Sequence, residues 1–165
     1  VIDDMPETFT GRCLGLDFGF VNDPTAIVDI RMEGWDLYVD LLCYEQGLLN
    51  SHIADYLNAN ALNRVITVCD SAEQKSIVEL QQKRIKAIPC VKGRGSVAAG
   101  IAQVKQFKLH VTKRSVKLLD ELDNYKWIKN EVSDTYTNEA IDAWNHALDA
   151  LRYGVDFLIR KYRPK

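Results

Sequence analysis

Three aspartates in this sequence occupy places where a carboxylate can serve chemistry. Asp17 ends the apolar run in "GLDFG", and Asp70 ends the apolar run "RVITVCD". Asp149 follows His146 by three residues in "NHALDALRYG", a spacing that puts both side chains on one face of a helix. Carboxylates held close together repel unless one takes a proton or a cation lies between them. If the fold brings these residues together, they predict a divalent-cation site with His146 as a candidate nitrogen ligand.

Each aspartate also has a purely structural interpretation. Ser71 and Gln74 have the spacing of a helix capping box, so the Asp70 carboxylate can simply lie near a helix N-terminus. The polar stripe on the last helix can be a solvated face. Asp17 is harder to explain in this way, because the glycines on either side of it let a backbone or a ligand approach closely.

A basic pair stands among glycines in "VKGRGS". Lys92 and Arg94 lie immediately before a predicted helix that begins at Ser96. Backbone amides at a helix N-terminus suit phosphate oxygens, and arginine binds them bidentately. The alternative for this pair is an ordinary solvated turn.

The predicted secondary structure that must position these side chains changes from strands alone to strands alternating with helices. Three strand-like runs, "RCLGLDFG", "TAIVDIRM" and "WDLYVDLLCYE", predict an antiparallel meander. Strands then alternate with helices, which predicts a parallel half, because parallel strands need crossover connections. The prediction ends with a short helix in "SVKLLDELDNY", a turn around "WIKNEVSDTY" and a long helix from about residue 138 to 160. The long helix has an apolar stripe that includes Ile141, Trp144 and Leu148.

Composition limits the class of protein. The 165 residues, 47% of them hydrophobic, can bury one sizeable core, so we expect one domain over residues 1–165. A net charge of −2 excludes a strongly basic protein, and any basic surface must be local. No apolar run approaches the roughly 18 residues of a membrane span, so we expect a soluble, intracellular protein without membrane contact. The four widely spaced cysteines, Cys13, Cys43, Cys69 and Cys90, favour buried free thiols over zinc ligands or disulfides.

Four stretches in order, "GLDFGFVNDPTA", "CDSAEQKSIVEL", "VKGRGSVAAGI" and "NHALDALRYG", resemble the nuclease domain of the large terminase subunit of tailed bacteriophages. The resemblance extends through nearly the whole chain. It implies a ribonuclease H-like α/β fold, in which a mixed sheet with antiparallel first three strands and a parallel remainder is flanked by helices.

The resemblance also implies roles for single residues. Asp17, Asp70 and Asp149 match the metal-binding aspartates of the family, and His146 matches a position where some members have a histidine near the metals. Many relatives have an acidic residue immediately before that histidine, where this chain has Asn145. The basic pair Lys92 and Arg94 matches a loop that lies near DNA in the family. Asp142 matches no motif position.

The implied reaction is metal-dependent hydrolysis of a phosphodiester in double-stranded DNA. Two Mg²⁺ or Mn²⁺ ions about 3.5 to 4 Å apart activate the water and stabilise the leaving oxygen. Asp17 would bridge the ions, Asp70 would hold one, and Asp149 the other together with His146, which can alternatively orient or protonate at the scissile phosphate. Binding through phosphates predicts little sequence specificity and a fall in cleavage with salt.

The resemblance further implies a task and partners. The task is to cut concatemeric viral DNA during genome packaging in the host cell cytoplasm, with a terminase ATPase domain, the portal protein and the small terminase subunit as partners. The chain has no G-x-x-x-x-G-K-[ST] phosphate loop, so we expect the C-terminal part of a larger terminase without its ATPase domain, monomeric when isolated.

Three other interpretations remain open at this level. A junction resolvase of the same superfamily would act as a dimer on branched DNA. An actin-like sugar kinase or ATPase shares a faint likeness in "LDFGFVNDPTA" but needs two such domains. A non-catalytic domain that binds DNA or docks on the portal would keep the fold without the chemistry.

Overall fold

A six-stranded mixed sheet forms the centre of the computed structural model, which describes residues 1–91, 96–131 and 145–164. Its order is β5-β4-β1-β2-β3-β6, and β2 runs antiparallel to both of its neighbours while the other pairs are parallel. The predicted combination of an antiparallel meander with parallel strands is therefore confirmed. The strands are β1 Gly11–Asp17, β2 Thr25–Glu33, β3 Asp36–Glu45, β4 Thr67–Cys69, β5 Ala87–Pro89 and β6 Lys108–Val111.

Helices pack on both faces of this sheet. On one face, apolar residues of α1 and α2 meet Leu14 and Leu16 of β1, and on the other, α5 lies between α3 and α4. The helices in the described part of the chain are α1 Asn50–Ala59, α2 Gln74–Gln82, α3 Ser96–Lys105, α4 Val116–Glu131 and α5 His146–Tyr162.

Two helix boundaries differ from the prediction. Helix α4 continues to Glu131, into the stretch predicted as a turn, because no glycine or proline interrupts it. Helix α5 begins at His146, and its N-cap Asn145 has a non-helical φ of −132°, so the predicted start near residue 138 was too early. Its apolar stripe is confirmed from Leu148 onward, while Ile141 and Trp144 lie outside the described residues.

Small residues let α5 lie directly on β1. The Sγ atom of Cys13 is 3.4 Å from the carbonyl oxygen of Gly154, and a Cβ atom on Gly15 would stand 1.9 Å from the carbonyl oxygen of Ala150. Side chains alternate along a strand, so Asp17 is the next residue of this row. The packing thus carries Asp17 toward the first turn of α5.

Each cysteine is a free thiol, three of them buried and Cys43 half-buried, as predicted. Among the residues described, no helix combines the length and apolarity that a membrane crossing requires.

Candidate metal centre

Two aspartates follow neighbouring parallel strands at the same edge of the sheet. Leu16 of β1 pairs with Cys69 of the parallel strand β4, so the next residues, Asp17 and Asp70, leave the sheet on adjacent strands. Neighbouring strands are about 4.8 Å apart, and this end of a parallel sheet is where ligands bind in open α/β folds.

The local structure after Asp70 differs from the predicted capping box. One carboxylate oxygen of Asp70 accepts the amide of Ala72 at 3.0 Å, which forms a turn. Helix α2 begins only at Gln74, with Glu73 as its N-cap, so the capping role predicted for Ser71 was wrong. The turn uses part of the hydrogen-bonding capacity of Asp70 and fixes where its carboxylate lies.

The first turn of α5 brings His146 to Asp17. The Nδ1 atom of His146 is 3.7 Å from Oδ2 of Asp17, an ion-pair distance longer than a hydrogen bond, and its Nε2 atom is 3.6 Å from Oδ1 of Asp23. Asp149 lies one turn further along the same helix, next to the Ala150 carbonyl that contacts Gly15.

The electrostatics of Asp17 reflect a crowded acidic site. Its pKa is raised to about 6, chiefly by burial and further by the negative charges of Asp149 and Asp70, while the nearby His146 lowers it. Asp17 in turn is the main reason that the pKa of His146 is raised. The structure therefore brings Asp70, Asp149 and His146 within electrostatic reach of Asp17.

Tyr153 marks a point that these charges share. Burial raises the pKa of its phenol, the charges of Asp17, Asp149 and Asp70 raise it further, and Arg152 opposes them. All three carboxylates therefore lie near enough to this one hydroxyl to influence its pKa.

Arg152 makes a direct contact with one of the carboxylates. Its Nη2 atom donates to Oδ1 of Asp149, three residues earlier on α5. In residues 1–91, 96–131 and 145–164, no three His, Cys, Asp or Glu side chains are arranged, as they stand, to hold a metal ion together. The Asp149 carboxylate, which the sequence led us to expect as a metal ligand, is therefore paired with the Arg152 guanidinium in this structure.

The start of α5 is held by a side chain from another helix. Glu121 of α4 is buried, and its two carboxylate oxygens accept the amides of Ala147 at 3.2 Å and Leu148 at 3.0 Å. The hydroxyl of Tyr44 on β3 donates to the same carboxylate at 2.7 Å. This carboxylate satisfies amides that a helix leaves open at its N-terminus, and it fixes the turn that carries His146.

We expect Glu121→Ala to lower the free energy of unfolding by about 3 kcal/mol, because it leaves buried donors without their acceptor at about 1 to 3 kcal/mol each. Tyr44→Phe is the milder comparison, since it removes one donor and leaves both amides bonded, at about 1 kcal/mol. Urea unfolding monitored by circular dichroism measures both, and equal small losses would contradict the capping role.

The predicted DNA contacts, and an aspartate that matched no motif position, belong to other parts of the chain. Lys92, Arg94 and Asp142 lie outside the described residues. The sequence also left out three residues that the structure places at or beside the site. Asp23 belongs to "FVNDP", which only indicated a turn, and Glu121 reaches the site from 26 residues away along the chain. Arg152 was detectable, because a three-residue step on a helix makes it a neighbour of Asp149.

The sheet order, the flanking helices and the acidic end of β1 define a ribonuclease H-like fold. A family model described as the terminase RNase H-like domain matches residues 17–156, and the chain belongs to this family. A search of the curated proteins found no match.

Solved structures of phage terminases share this fold. The nuclease domain of the large terminase from bacteriophage SPP1, with bound manganese, is 23% identical, covers 90% of this chain and 87% of its own, and superposes with a TM-score of 0.72. The large terminase nuclease of the thermophilic phage G20c with bound zinc is 19% identical, with 93% and 84% covered and a TM-score of 0.60. The large terminase of another thermophilic bacteriophage is 15% identical with a TM-score of 0.68, and the match covers 96% of this chain but 42% of that one.

Proposed function

We propose that this chain is a metal-dependent endonuclease that cuts double-stranded viral DNA during genome packaging, with little sequence specificity. The observation that carries the proposal is the convergence of Asp17, Asp70, Asp149 and His146 at the carboxyl end of β1. The bound manganese and zinc of the SPP1 and G20c nucleases support a role for divalent cations.

The donor set fits a hard divalent cation in its chemistry. The charges of Asp149 and Asp70 raise the pKa of Asp17, and a cation between these oxygens would relieve that repulsion. Carboxylate oxygens are the preferred ligands of Mg²⁺ and Mn²⁺. Asp17 and Asp70 would hold the ions together with Asp149 once it is released from Arg152, and we propose two ions with Asp17 shared.

When bound, such ions supply a nucleophile from water and offset charge on the phosphoryl and leaving oxygens. The protein's own part is positioning and proton transfer. Asp17 keeps His146 near the site and favours its protonated form, so the imidazolium can donate a proton or a hydrogen bond to a phosphate oxygen. Asp23 faces the other ring nitrogen of His146 at 3.6 Å, and its charge also favours the protonated form.

We further propose how the chain acts with partners. Lys92 and Arg94 are the proposed DNA contacts, and binding through phosphates makes cleavage fall with salt. Residues 1–165 would form one nuclease domain of a larger terminase, next to an ATPase domain and working with the portal and the small subunit in the host cell cytoplasm. The domain by itself is proposed to be monomeric.

Digestion of linear and supercoiled plasmid tests the proposal. Cleavage is expected with Mg²⁺ or Mn²⁺ and absent with EDTA, because the carboxylates need a cation to act on a phosphate. Asp70→Asn is expected to lower the rate at least about a hundredfold, whereas Asp55→Asn, on the exposed side of α1, is expected to leave it unchanged.

Three outcomes would overturn the proposal. Equal cleavage by both variants would place the activity elsewhere. No cleavage by the wild type at any metal concentration, with intact DNA binding, would favour a non-catalytic domain, and a preference for branched DNA by a dimer would favour a junction resolvase.

A further inference from the structure

The Asp149 carboxylate already has a cationic partner. Arg152 donates to it from one helical turn away, and the Arg152 side chain is only 9% exposed. A buried guanidinium is costly unless it is paired, so the contact is a fixed feature of the packing and differs from a surface ion pair. The exposed pair of Arg160 and Asp156 on the same helix is of the surface kind.

Helix α3 is shaped to admit this guanidinium. Gly100 lies inside α3, where glycine is the least favourable residue apart from proline. A Cβ atom at this position would stand 2.8 Å from Cδ and 3.2 Å from Nη1 of Arg152. The absence of a side chain on α3 thus leaves the space that the arginine fills beside Asp149. The guanidinium also lies 5.6 Å from the ring centre of Tyr153.

We infer that Arg152 is a built-in counter-ion of the site, which holds Asp149 in the metal-free protein and which a divalent cation must displace before Asp149 can bind it. The inference rests on the proposed metal site. A cation on the same carboxylate would face the like charge of the guanidinium at close range, so the two compete. Arg152 acts through Asp149 and is a positioning residue that keeps metal affinity low.

A supporting role and a competing role for Arg152 predict opposite changes in metal affinity. A hydrogen bond that merely oriented Asp149 would strengthen metal binding, and losing it would weaken affinity about 10- to 100-fold. A competing counter-ion predicts the reverse. Removing Arg152 should tighten metal binding, even though the residue lies beside the proposed ligand.

The experiment measures Mn²⁺ affinity of the DNA-free chain by electron paramagnetic resonance of the free ion. Arg152→Met keeps an unbranched side chain against Gly100 and removes the charge, and we expect at least about tenfold tighter binding. Arg160→Met, the matched control, is expected to leave the affinity within about twofold of the wild type. Affinity that is unchanged or weaker in Arg152→Met would overturn the inference and leave the proposed function intact.

A second measurement uses the unmodified protein in case Arg152→Met does not fold. In a titration with Mg²⁺, the guanidinium ¹⁵N signals of Arg152 should shift and lose their hydrogen-bonded character, while those of Arg160 stay constant. Saturable Mg²⁺ binding that leaves the Arg152 signals unchanged would overturn the inference. If the wild type and the variant both fail to bind Mn²⁺ or Mg²⁺ at millimolar concentrations, the inference falls together with the proposed metal site.

Discussion

Asp17→Asn should abolish metal-dependent DNA cleavage and at the same time make the metal-free protein more stable. Loss of the proposed shared metal ligand would remove several kcal/mol of transition-state stabilisation, and about 4 kcal/mol corresponds to a thousandfold lower rate. The gain in stability has a separate cause. The folded protein holds Asp17 where its ionised form is disfavoured by burial and by the charges of Asp149 and Asp70.

The pH dependence of this gain follows from the direction of the shift. The pKa of Asp17 rises from 3.8 to about 6 on folding, so the folded state binds the proton more tightly. Stability contributed by Asp17 is therefore lost as the pH rises from about 4 to about 6, by at most about 3 kcal/mol. The neutral asparagine lacks this loss. Thermal unfolding in EDTA should find the variant equal to the wild type near pH 4 and more stable above pH 6.

A matched control separates this effect from a general change in charge. Asp55→Asn removes one negative charge from an exposed position of α1, so its stability should follow that of the wild type at every pH. Addition of Mn²⁺ should then raise the melting temperature of the wild type but not that of Asp17→Asn. A variant that is less stable than the wild type at pH 8 would contradict the crowded acidic site.

Gly15→Ala is expected to be the most damaging single substitution in the sheet. The added Cβ atom would stand 1.9 Å from the carbonyl oxygen and 2.7 Å from the carbonyl carbon of Ala150, and backbone atoms of a packed helix cannot move aside alone. Either α5 shifts away from β1 or the strand distorts. Overpacking typically costs about 1 to 3 kcal/mol, and we expect the upper end of this range here because the added atom meets backbone.

The same shift would separate the two halves of the site. Asp149 lies beside Ala150, so a displaced α5 carries it away from Asp17 and should weaken Mn²⁺ binding as well as stability. Gly34→Ala is the comparison, because Gly34 has a φ of +59° and open space around it. It should cost about 1 to 2 kcal/mol of backbone strain and leave metal affinity unchanged. Denaturant unfolding and Mn²⁺ titration of both variants check the prediction, and a Gly15→Ala protein with wild-type affinity would refute it.

The fold could be predicted largely from local pattern. Alternation and turn residues located the strands, and the change to a strand and helix alternation indicated the parallel half. The ends of two strands located Asp17 and Asp70, and the glycine beside Asp17 pointed correctly to a close backbone approach. Each of these signals lies within a few residues of the feature it predicts.

The parts that failed depend on contacts between distant segments. The start of α5 and the cap from Glu121 have no local signature, because the partners of that carboxylate lie on α5 and on β3. The spacing of Ser71 and Gln74 suited a capping box. The amide of Ala72 instead donates to the Asp70 carboxylate in a turn, and the helix begins later, at Gln74. From its spacing, Arg152 could face solvent or pair with Asp149. It pairs because Gly100 on another helix leaves space for its side chain, which the local sequence around Arg152 does not show.

The hydrogen bonds that hold the start of α5 to Glu121 affect the order in which the chain folds. The carboxylate joins residues 26 and 27 positions apart on the two helices and a tyrosine 77 positions away. Such contacts form only after long loops have closed. The amides of Ala147 and Leu148 should therefore be among the last to gain protection during refolding. A nascent or partly unfolded chain would then carry every aspartate of the proposed site without their folded arrangement, so the proposed nuclease activity would require the completed fold.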